Sequence, residues 1–284
     1  MPDPVPELPE VETVRRGLAG HLPGLSLDEV ELRRPDLRFP IPVKAVEGLE
    51  GLTCREVARR SKYLLLHFEG QTDRDAHTAI SHLGMSGRIF LEDTSKGRPD
   101  WELHEHWRMH FGRWTARYVD PRRFGMLDVA ATQHLERHRL LRSLGPEPLE
   151  DDFHGGYLFD ITRSRRQGIK VTLMDAKIVV GVGNIYASES CFRAGVRPRR
   201  AAGRVTRNEC HTLAESIRDV LREAIAAGGT TLRDYTGIDR DAGYFAQKLF
   251  VYGREGEPCR HCGSEITKVV TTGRATFYCP TCQR

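Results

Sequence analysis

The chain has 284 residues, of which 39% are hydrophobic and 29% charged, with a formal net charge of +4. That length is ample for two cores, the composition excludes a disordered chain, and no apolar run approaches the ~18 residues that cross a bilayer. The polar, acidic start has neither the charge nor the apolar stretch of a signal peptide, so the expected setting is the cytoplasm, with no membrane partner.

The chain opens on Pro6-Glu7-Leu8-Pro9-Glu10-Val11-Glu12, a proline followed at once by a carboxylate, close to the terminus but not on it. A proline at a true chain start carries a free secondary amine. Such α-amino groups titrate near ~8, against ~10.4 for a lysine side chain, so a useful fraction is unprotonated and nucleophilic at neutral pH. As written, Met1 to Val5 tie that nitrogen into an amide. Taken alone, the segment also reads as an extended acidic lead that its prolines merely stiffen.

A helix is expected from about Glu10 to His21. Strands follow at Lys62–Phe68, Thr78–Leu83, Trp107–Phe111 and Trp114–Val119, with a turn near Gly112, in the pattern of a β-sandwich. The proline-rich acidic stretch from Gly145 to Asp152 reads as an interdomain linker. Beyond it the chain turns helical, over Ile169–Ala176, Tyr186–Ala194 and Arg207–Ala227, the last ending at Gly228-Gly229.

Between the first two of these helices lies Val180-Gly181-Val182-Gly183-Asn184-Ile185. It lacks the lysine of a P-loop and the βαβ context of a dinucleotide site, so no nucleotide cofactor is expected. Two glycines beside a helix start can instead expose N–H groups and the Asn184 amide to a phosphate, or simply make a tight helix-helix turn. Arg163, Arg165, Arg166 and Lys170 form one basic cluster, and Arg197, Arg199, Arg200, Arg204 and Arg207 another. Each is either a solvated face or a surface for nucleic acid.

At the C-terminal end, Cys259-x-x-Cys262 and Cys279-x-x-Cys282 are separated by sixteen residues, a spacing that suits two knuckles joined around one tetrahedral Zn²⁺ by a β-hairpin. Four thiolates close the site, so this zinc is structural. Glu265–Val270 and Arg274–Tyr278 read as its strands, turning at Thr272-Gly273, and a hairpin so small needs the metal to fold. A pair of disulfides is the alternative in an oxidising setting. Cys54, Cys191 and Cys210 stand alone and read as ordinary reduced thiols.

Several of these segments, with others, occur in a telling order: Pro6 to Glu12, Arg60-Ser61-Lys62-Tyr63, His82-Leu83-Gly84-Met85-Ser86-Gly87, Asp120-Pro121-Arg122-Arg123-Phe124-Gly125, Val182 to Glu189, Gly243-Tyr244-Phe245-Ala246-Gln247, and the four-cysteine finger with Arg274. In this the chain resembles the bacterial formamidopyrimidine-DNA glycosylases, the 8-oxoguanine-excising branch of their superfamily, from Pro6 to its C-terminus. The resemblance implies an α+β fold: an N-terminal β-sandwich flanked by helices (1–142), a linker (143–155), a helix-two-turns-helix DNA-binding domain (156–248) and a zinc-finger β-hairpin (249–284). It also implies a monomeric base-excision repair enzyme, acting on damaged duplex DNA as glycosylase and abasic-site lyase, with one structural Zn²⁺ and no redox cofactor.

Residue by residue, the resemblance makes Pro6 the nucleophile and Glu7 the acid that protonates the sugar ring oxygen. Lys62 becomes a proton donor or electrostatic stabiliser near the departing base. Met85, Arg122 and Phe124 match the trio that fills the void left by the flipped nucleotide, with Arg122 also facing the orphaned cytosine. Asn184 and Arg274 match phosphate clamps, Arg274 being counted with the catalytic set, and His106 and Lys170 are further contacts to the DNA backbone. Cys259, Cys262, Cys279 and Cys282 match the zinc ligands.

Two departures stand out. Asp241 occupies a place where some relatives carry lysine, so reading of the flipped base by that loop is expected to differ. Val5 stands where the family has its initiator methionine, which suggests a start at codon 5, followed by removal of that methionine to leave Pro6 first. The competing start at Met1 would expose Pro2, followed by Asp3. The other readings are the oxidised-pyrimidine branch of the superfamily, which typically carries glycine in place of Leu8, and a non-catalytic zinc damage-binding protein whose extension blocks Pro6.

Overall fold

The first helix, α1 (Leu8–Ala19), starts two residues earlier than the hydrophobic pattern predicts. Pro9 falls in its first turn, where a missing N–H costs nothing, and the backbone N–H of the N-cap residue Glu7 donates to Glu10 Oε2 at 2.9 Å. Val11, Val14 and Leu18 share its buried face. The computed structural model describes residues 5–70, 72, 75–229 and 248–284. Met1–Pro4, Asp241 and the Gly243–Gln247 motif lie outside the described residues.

Two four-stranded antiparallel sheets follow. One has the order β2 (Thr53–Arg60), β3 (Tyr63–Glu69), β4 (His77–His82), β8 (Met126–Ala131). The other runs β1 (Glu29–Leu32), β6 (Glu105–Phe111), β7 (Trp114–Val119), β5 (Arg88–Asp93), and α2 (Val43–Glu47) lies between β1 and β2 in the chain. Leu64, Leu66 and Phe68 of β3 share one apolar core with Met109, Phe111, Ala116 and Tyr118 of the second sheet, and Phe68 stacks on Phe111 with centroids 6.3 Å apart. The two sheets therefore form the expected sandwich. The β6–β7 turn falls at Gly112, whose φ of +57° suits glycine and whose N–H donates to Asp28 Oδ2 at 2.6 Å.

Residues Ser143–Ala227 and 248–284 cluster separately from residues 5–142 and 228–229. They comprise α3 (Gly155–Thr162), α4 (Ile169–Leu173), α5 (Asn184–Arg193), α6 (Arg207–Ala226) and the hairpin β9 (Thr267–Thr271), β10 (Arg274–Tyr278). The glycine-rich turn leads into α5 with Gly183 as N-cap, and a Thr206/Glu209 capping box starts α6. Thr272 and Gly273, both at positive φ (47° and 72°), make the tight hairpin turn that the sequence pattern expects.

The acidic stretch before α3 has no regular structure, yet it is fastened down. Gly145 N–H donates to Ala176 O at 2.8 Å, Val180 N–H to Pro146 O at 3.1 Å, and the Arg218 guanidinium to Pro148 O at 3.2 Å. Among the described residues, no helix is long and apolar enough to cross a membrane.

Candidate active site and nucleic-acid interface

Pro6 and Glu7 precede α1 directly, and both are buried, Glu7 to 2% exposure. The unsatisfied N–H groups of the first helical turn give this end a partial positive charge that favours an anion such as the Glu7 carboxylate. Glu12, one turn on, holds the helix against β2: Arg59 Nε lies 3.2 Å from it, and although burial pushes its carboxyl up, Arg15, Arg16 and Arg59 together outweigh burial and hold it below the usual range. Arg59 is three positions before Lys62, so this anchor ties the start of α1 to the β2–β3 turn that carries Lys62.

Lys62 is half-buried beside His82. Tyr63 pairs with His82 across β3 and β4, with rings 4.9 Å apart edge to face, and His82 Nδ1 accepts the Gly84 N–H at 2.8 Å. Burial first, then the nearby Lys62 and Arg38 charges, push His82 down to about 4. It is therefore a neutral acceptor at physiological pH, leaving the positive charge of this corner on Lys62 and Arg38.

Met85, Arg122 and Phe124 come together because of glycine and one carboxylate. A Cβ on Gly84, already at φ +71°, would sit 2.4 Å from the Phe124 carbonyl carbon, so only glycine lets the Met85 turn approach the loop after β7 so closely. Asp120, fully buried, binds both loops. Its Oδ1 accepts Ser86 Oγ–H at 2.6 Å and Arg122 N–H at 3.2 Å, while Oδ2 accepts Tyr118 O–H at 2.9 Å and Gly125 N–H at 2.8 Å. Held this way, Phe124 is 41% exposed, and Arg122 lies 5.1 Å from its ring centroid. An apolar side chain held in the open by a buried polar frame is what a wedge between base pairs requires.

His106 is the extra residue of a β-bulge in β6, between Glu105 and Trp107. It is 5% exposed, and its Nε2 lies 2.8 Å from Asp120 O, so it sits behind the Arg122 loop. Neither Asp120 nor Ser86 stands out by residue type, although both belong to motifs quoted for the resemblance.

In the C-terminal unit, Asn184 is the first residue of α5. Its Oδ1 accepts Lys170 Nζ–H at 2.5 Å, and its Nδ2 donates to Tyr252 Oη at 3.3 Å. Lys170 is only 2% exposed, and its Nζ also donates to Ala275 O at 2.9 Å and Thr276 Oγ1 at 2.8 Å. It thus ties α4, α5 and β10 together from behind, while Arg274 at the hairpin tip is exposed. Glu189, 1% exposed, accepts the N–H groups of Phe250, Val251 and Tyr252 at 2.8, 3.0 and 2.8 Å. Burial raises its carboxyl, and those donors oppose the rise. Sequence reasoning passed over Glu189 because a carboxylate near a helix centre ordinarily faces water.

The four finger cysteines bring their Sγ atoms within 4.8 Å of one another, with Cys259–Cys282 at 3.9 Å and Cys262–Cys279 at 3.5 Å. A tetrahedron of thiolates ~2.3 Å from Zn²⁺ has edges of about 3.8 Å, whereas a disulfide needs ~2.05 Å. The cluster therefore has the geometry of a closed zinc site. The His261 and Cys282 N–H groups each donate to a thiol sulfur at 3.4 Å, as knuckle backbones do around a metal.

Comparison with known proteins agrees with this geometry. Family models match for the formamidopyrimidine-DNA glycosylase N-terminal domain (residues 5–127), the formamidopyrimidine-DNA glycosylase H2TH domain (144–236) and the zinc finger found in FPG and IleRS (256–284). The chain is 48% identical to the formamidopyrimidine-DNA glycosylase of Cellvibrio japonicus over 280 residues, covering 99% of this chain and 100% of the relative. It is 46% identical to that of Marinobacter nauticus, with the same coverage. Among solved structures, it is similar to a point mutant of the Lactococcus lactis FPG in complex with a Fapy-dG containing DNA, at 33% identity and a TM-score of 0.89, covering 98% of this chain and 100% of that one. It is also similar to the Lactococcus lactis Fpg bound to abasic-site DNA, at 33% identity and a TM-score of 0.88, covering 98% of this chain and 99% of that one.

Proposed function

The chain belongs to the formamidopyrimidine-DNA glycosylase family, and we propose that it works through the amine of Pro6. It is a base-excision repair enzyme, a glycosylase and abasic-site lyase acting on oxidised purines in duplex DNA. A damaged base inside a duplex is out of reach, so its nucleotide is flipped out at a cost of a few kcal/mol, part of which Met85, Arg122 and Phe124 recover by filling the gap.

The Pro6 amine then attacks C1′ of the sugar, the base departs, and the ring opens as Glu7 protonates its oxygen. Because the amine is secondary, the resulting iminium stays cationic. That charge acidifies the C2′ proton, so elimination expels the 3′ phosphate and, in a second round, the 5′ phosphate, before hydrolysis frees the proline. The positive end of α1 opposes protonation of an amine placed at its start and favours the Glu7 carboxylate. Lys62 supplies a cation beside the departing base, a role that the neutral His82 leaves to it.

Asn184 and Arg274 clamp phosphates, Lys170 holds Asn184 against the hairpin, and His106 supports the Arg122 loop from behind. One Zn²⁺ on Cys259, Cys262, Cys279 and Cys282 would fix the hairpin that carries Arg274; it takes no part in the chemistry. The enzyme works as a monomer in the cytoplasm, on chromosomal DNA. The observation that carries this reading is the buried Pro6-Glu7 pair at the start of α1. It requires a chain beginning at Pro6, which fits the family match starting at Val5.

The test is borohydride trapping on an 8-oxoguanine:cytosine duplex. Protein with a verified Pro6 start yields a covalent adduct, and protein retaining Met1–Val5 yields none. Absence of adduct from the Pro6-started protein would remove the lyase mechanism. Equal adduct from both would move the nucleophile elsewhere, and excision of thymine glycol in preference to 8-oxoguanine would place the substrate among oxidised pyrimidines.

A further inference from the structure

We propose that a cleft at the C-terminal end of α5 docks an acidic peptide segment of a partner protein that inserts an aromatic side chain. The cleft has a volume of about 530 Å³ and is built wholly within the C-terminal unit. Its floor is aromatic. Phe192 and Phe250 stack with centroids 5.4 Å apart, and His261 lies 4.9 Å from the first and 5.3 Å from the second.

Cations surround that floor: Arg193 lies 5.8 Å and Arg260 5.9 Å from the Phe250 ring centroid, and Lys248 completes the lining. Among the described residues, the lining holds one carboxylate, Glu223, and Arg193 already grips it with both terminal guanidinium nitrogens at 2.6 Å. An aromatic floor under a surplus of positive charge complements a planar side chain flanked by carboxylates.

Two observations favour a peptide over DNA. The Asn184 phosphate clamp begins α5, and Arg193 ends it about 14 Å away at 1.5 Å per residue, so the cleft opens at the opposite end of that helix. The lining is made of side chains, with no glycine-rich loop among the described residues to close round a phosphate, and long flexible cations suit carboxylates spaced along a chain. None of the residues assigned above to the reaction or to the phosphate clamps lines this cleft, so the docking site and that reaction stand or fall separately.

The test is fluorescence anisotropy on the zinc-loaded, full-length protein, using a fluorescein-labelled decapeptide with four aspartates and one phenylalanine. Saturable binding is expected, weakened about tenfold when the peptide phenylalanine becomes alanine, and as much in a Lys248→Glu, Arg260→Glu double variant or in Phe250→Ala. Arg260 neighbours a zinc cysteine. Lys248→Glu alone, expected to bind about threefold more weakly while excising 8-oxoguanine at the wild-type rate, keeps the test decisive if the double variant misfolds. Unsaturable binding, or equal binding by wild type and Lys248→Glu, overturns the proposal. So does displacement of the peptide by undamaged duplex together with loss of duplex affinity in Lys248→Glu, which would assign the cleft to DNA.

Discussion

Replacing Asp120 by asparagine should loosen the Arg122 loop while leaving the sandwich folded. The carboxylate is fully buried and accepts from Ser86 Oγ and Arg122 N on one oxygen, and from Tyr118 Oη and Gly125 N on the other. Asparagine keeps only one acceptor oxygen. Its NH₂ will turn toward Ser86 and Arg122, because the Ser86 hydroxyl can rotate to accept and the Arg122 N–H has Ser86 Oγ at 3.3 Å as a second acceptor, whereas the Gly125 N–H is buried against the other oxygen. The Ser86 hydroxyl proton loses its acceptor and the Arg122 N–H keeps only its longer bond to Ser86 Oγ, together about 1–2 kcal/mol, and the surviving bonds lose their charge assistance, at about 1 kcal/mol more.

A total of about 2–3 kcal/mol should lower the melting temperature of a unit this size by roughly 6–12 °C. The functional loss should be selective. Excision from an 8-oxoguanine:cytosine duplex, which needs the wedge held in place, should fall ten- to a hundredfold in order of magnitude, and strand cleavage at a preformed abasic site by much less. Single-turnover rates on the two substrates separate these outcomes. Unchanged melting together with unchanged excision would refute the Asp120 frame, and an equal loss on both substrates would refute its link to base extrusion.

Lys170→Met should strand the acceptors at Asn184, Ala275 and Thr276 in a buried place, costing about 2 kcal/mol or more and weakening duplex binding with no change in the Pro6 chemistry; unaltered affinity across a salt titration would count against the clamp. Stability should also depend on acid in two stages. The unfolded chain protonates His82 near 6.5 while the folded one resists to about 4, so stability falls as pH drops from about 6.5 to 4. Glu105 is held at about 2: burial would raise it, but Arg117, Arg108 and the Glu102 N–H outweigh burial, so its contribution is present above 4.5 and is lost as pH falls from 4.5 toward 2. Urea midpoints at pH 7.5, 6 and 5 should decline, and a flat series would contradict the His82 assignment. Stripping zinc with a chelator should abolish duplex binding while leaving the β-sheet circular dichroism of the N-terminal unit; intact binding in metal-free protein would show that the finger folds without it.

The chemistry was more legible in the sequence than the scaffold. Cysteine spacing, the Thr272-Gly273 turn and the strands β3, β4, β6 and β7 follow from residue type and period. β2 escaped because its buried positions, Cys54 and Val57, are three apart: a bulge between Cys54 and Glu56 breaks the alternation. β1 escaped because it has four residues and none is buried, and β5 and β8 because their buried positions are adjacent rather than alternating, three in β5 and two in β8.

The exposed members of the candidate site, Arg122, Phe124 and Arg274, could be named from their motifs, but the residues that hold them could not. Glu189 holds backbone some sixty positions on and Ser86 reaches Asp120 across thirty-four, and no local pattern encodes either; Asp120 binds N–H groups only two and five positions on, but its burial is not written in its neighbours. Lys170 and His106 are named by the resemblance as contacts to the DNA backbone, but their burial behind the surface is not legible in the sequence. The acidic stretch at 145–152 reads as an interdomain linker, and nothing in its own residues shows that Arg218, some seventy positions on, grips its carbonyls.

The most direct test of the Pro6 mechanism is to digest the borohydride-trapped complex and sequence the adduct-bearing peptide by tandem mass spectrometry. The sugar remnant is expected on the nitrogen of Pro6, in a peptide that begins at that residue. An adduct on Pro2, or on Lys62 with Pro6 unmodified, would contradict it.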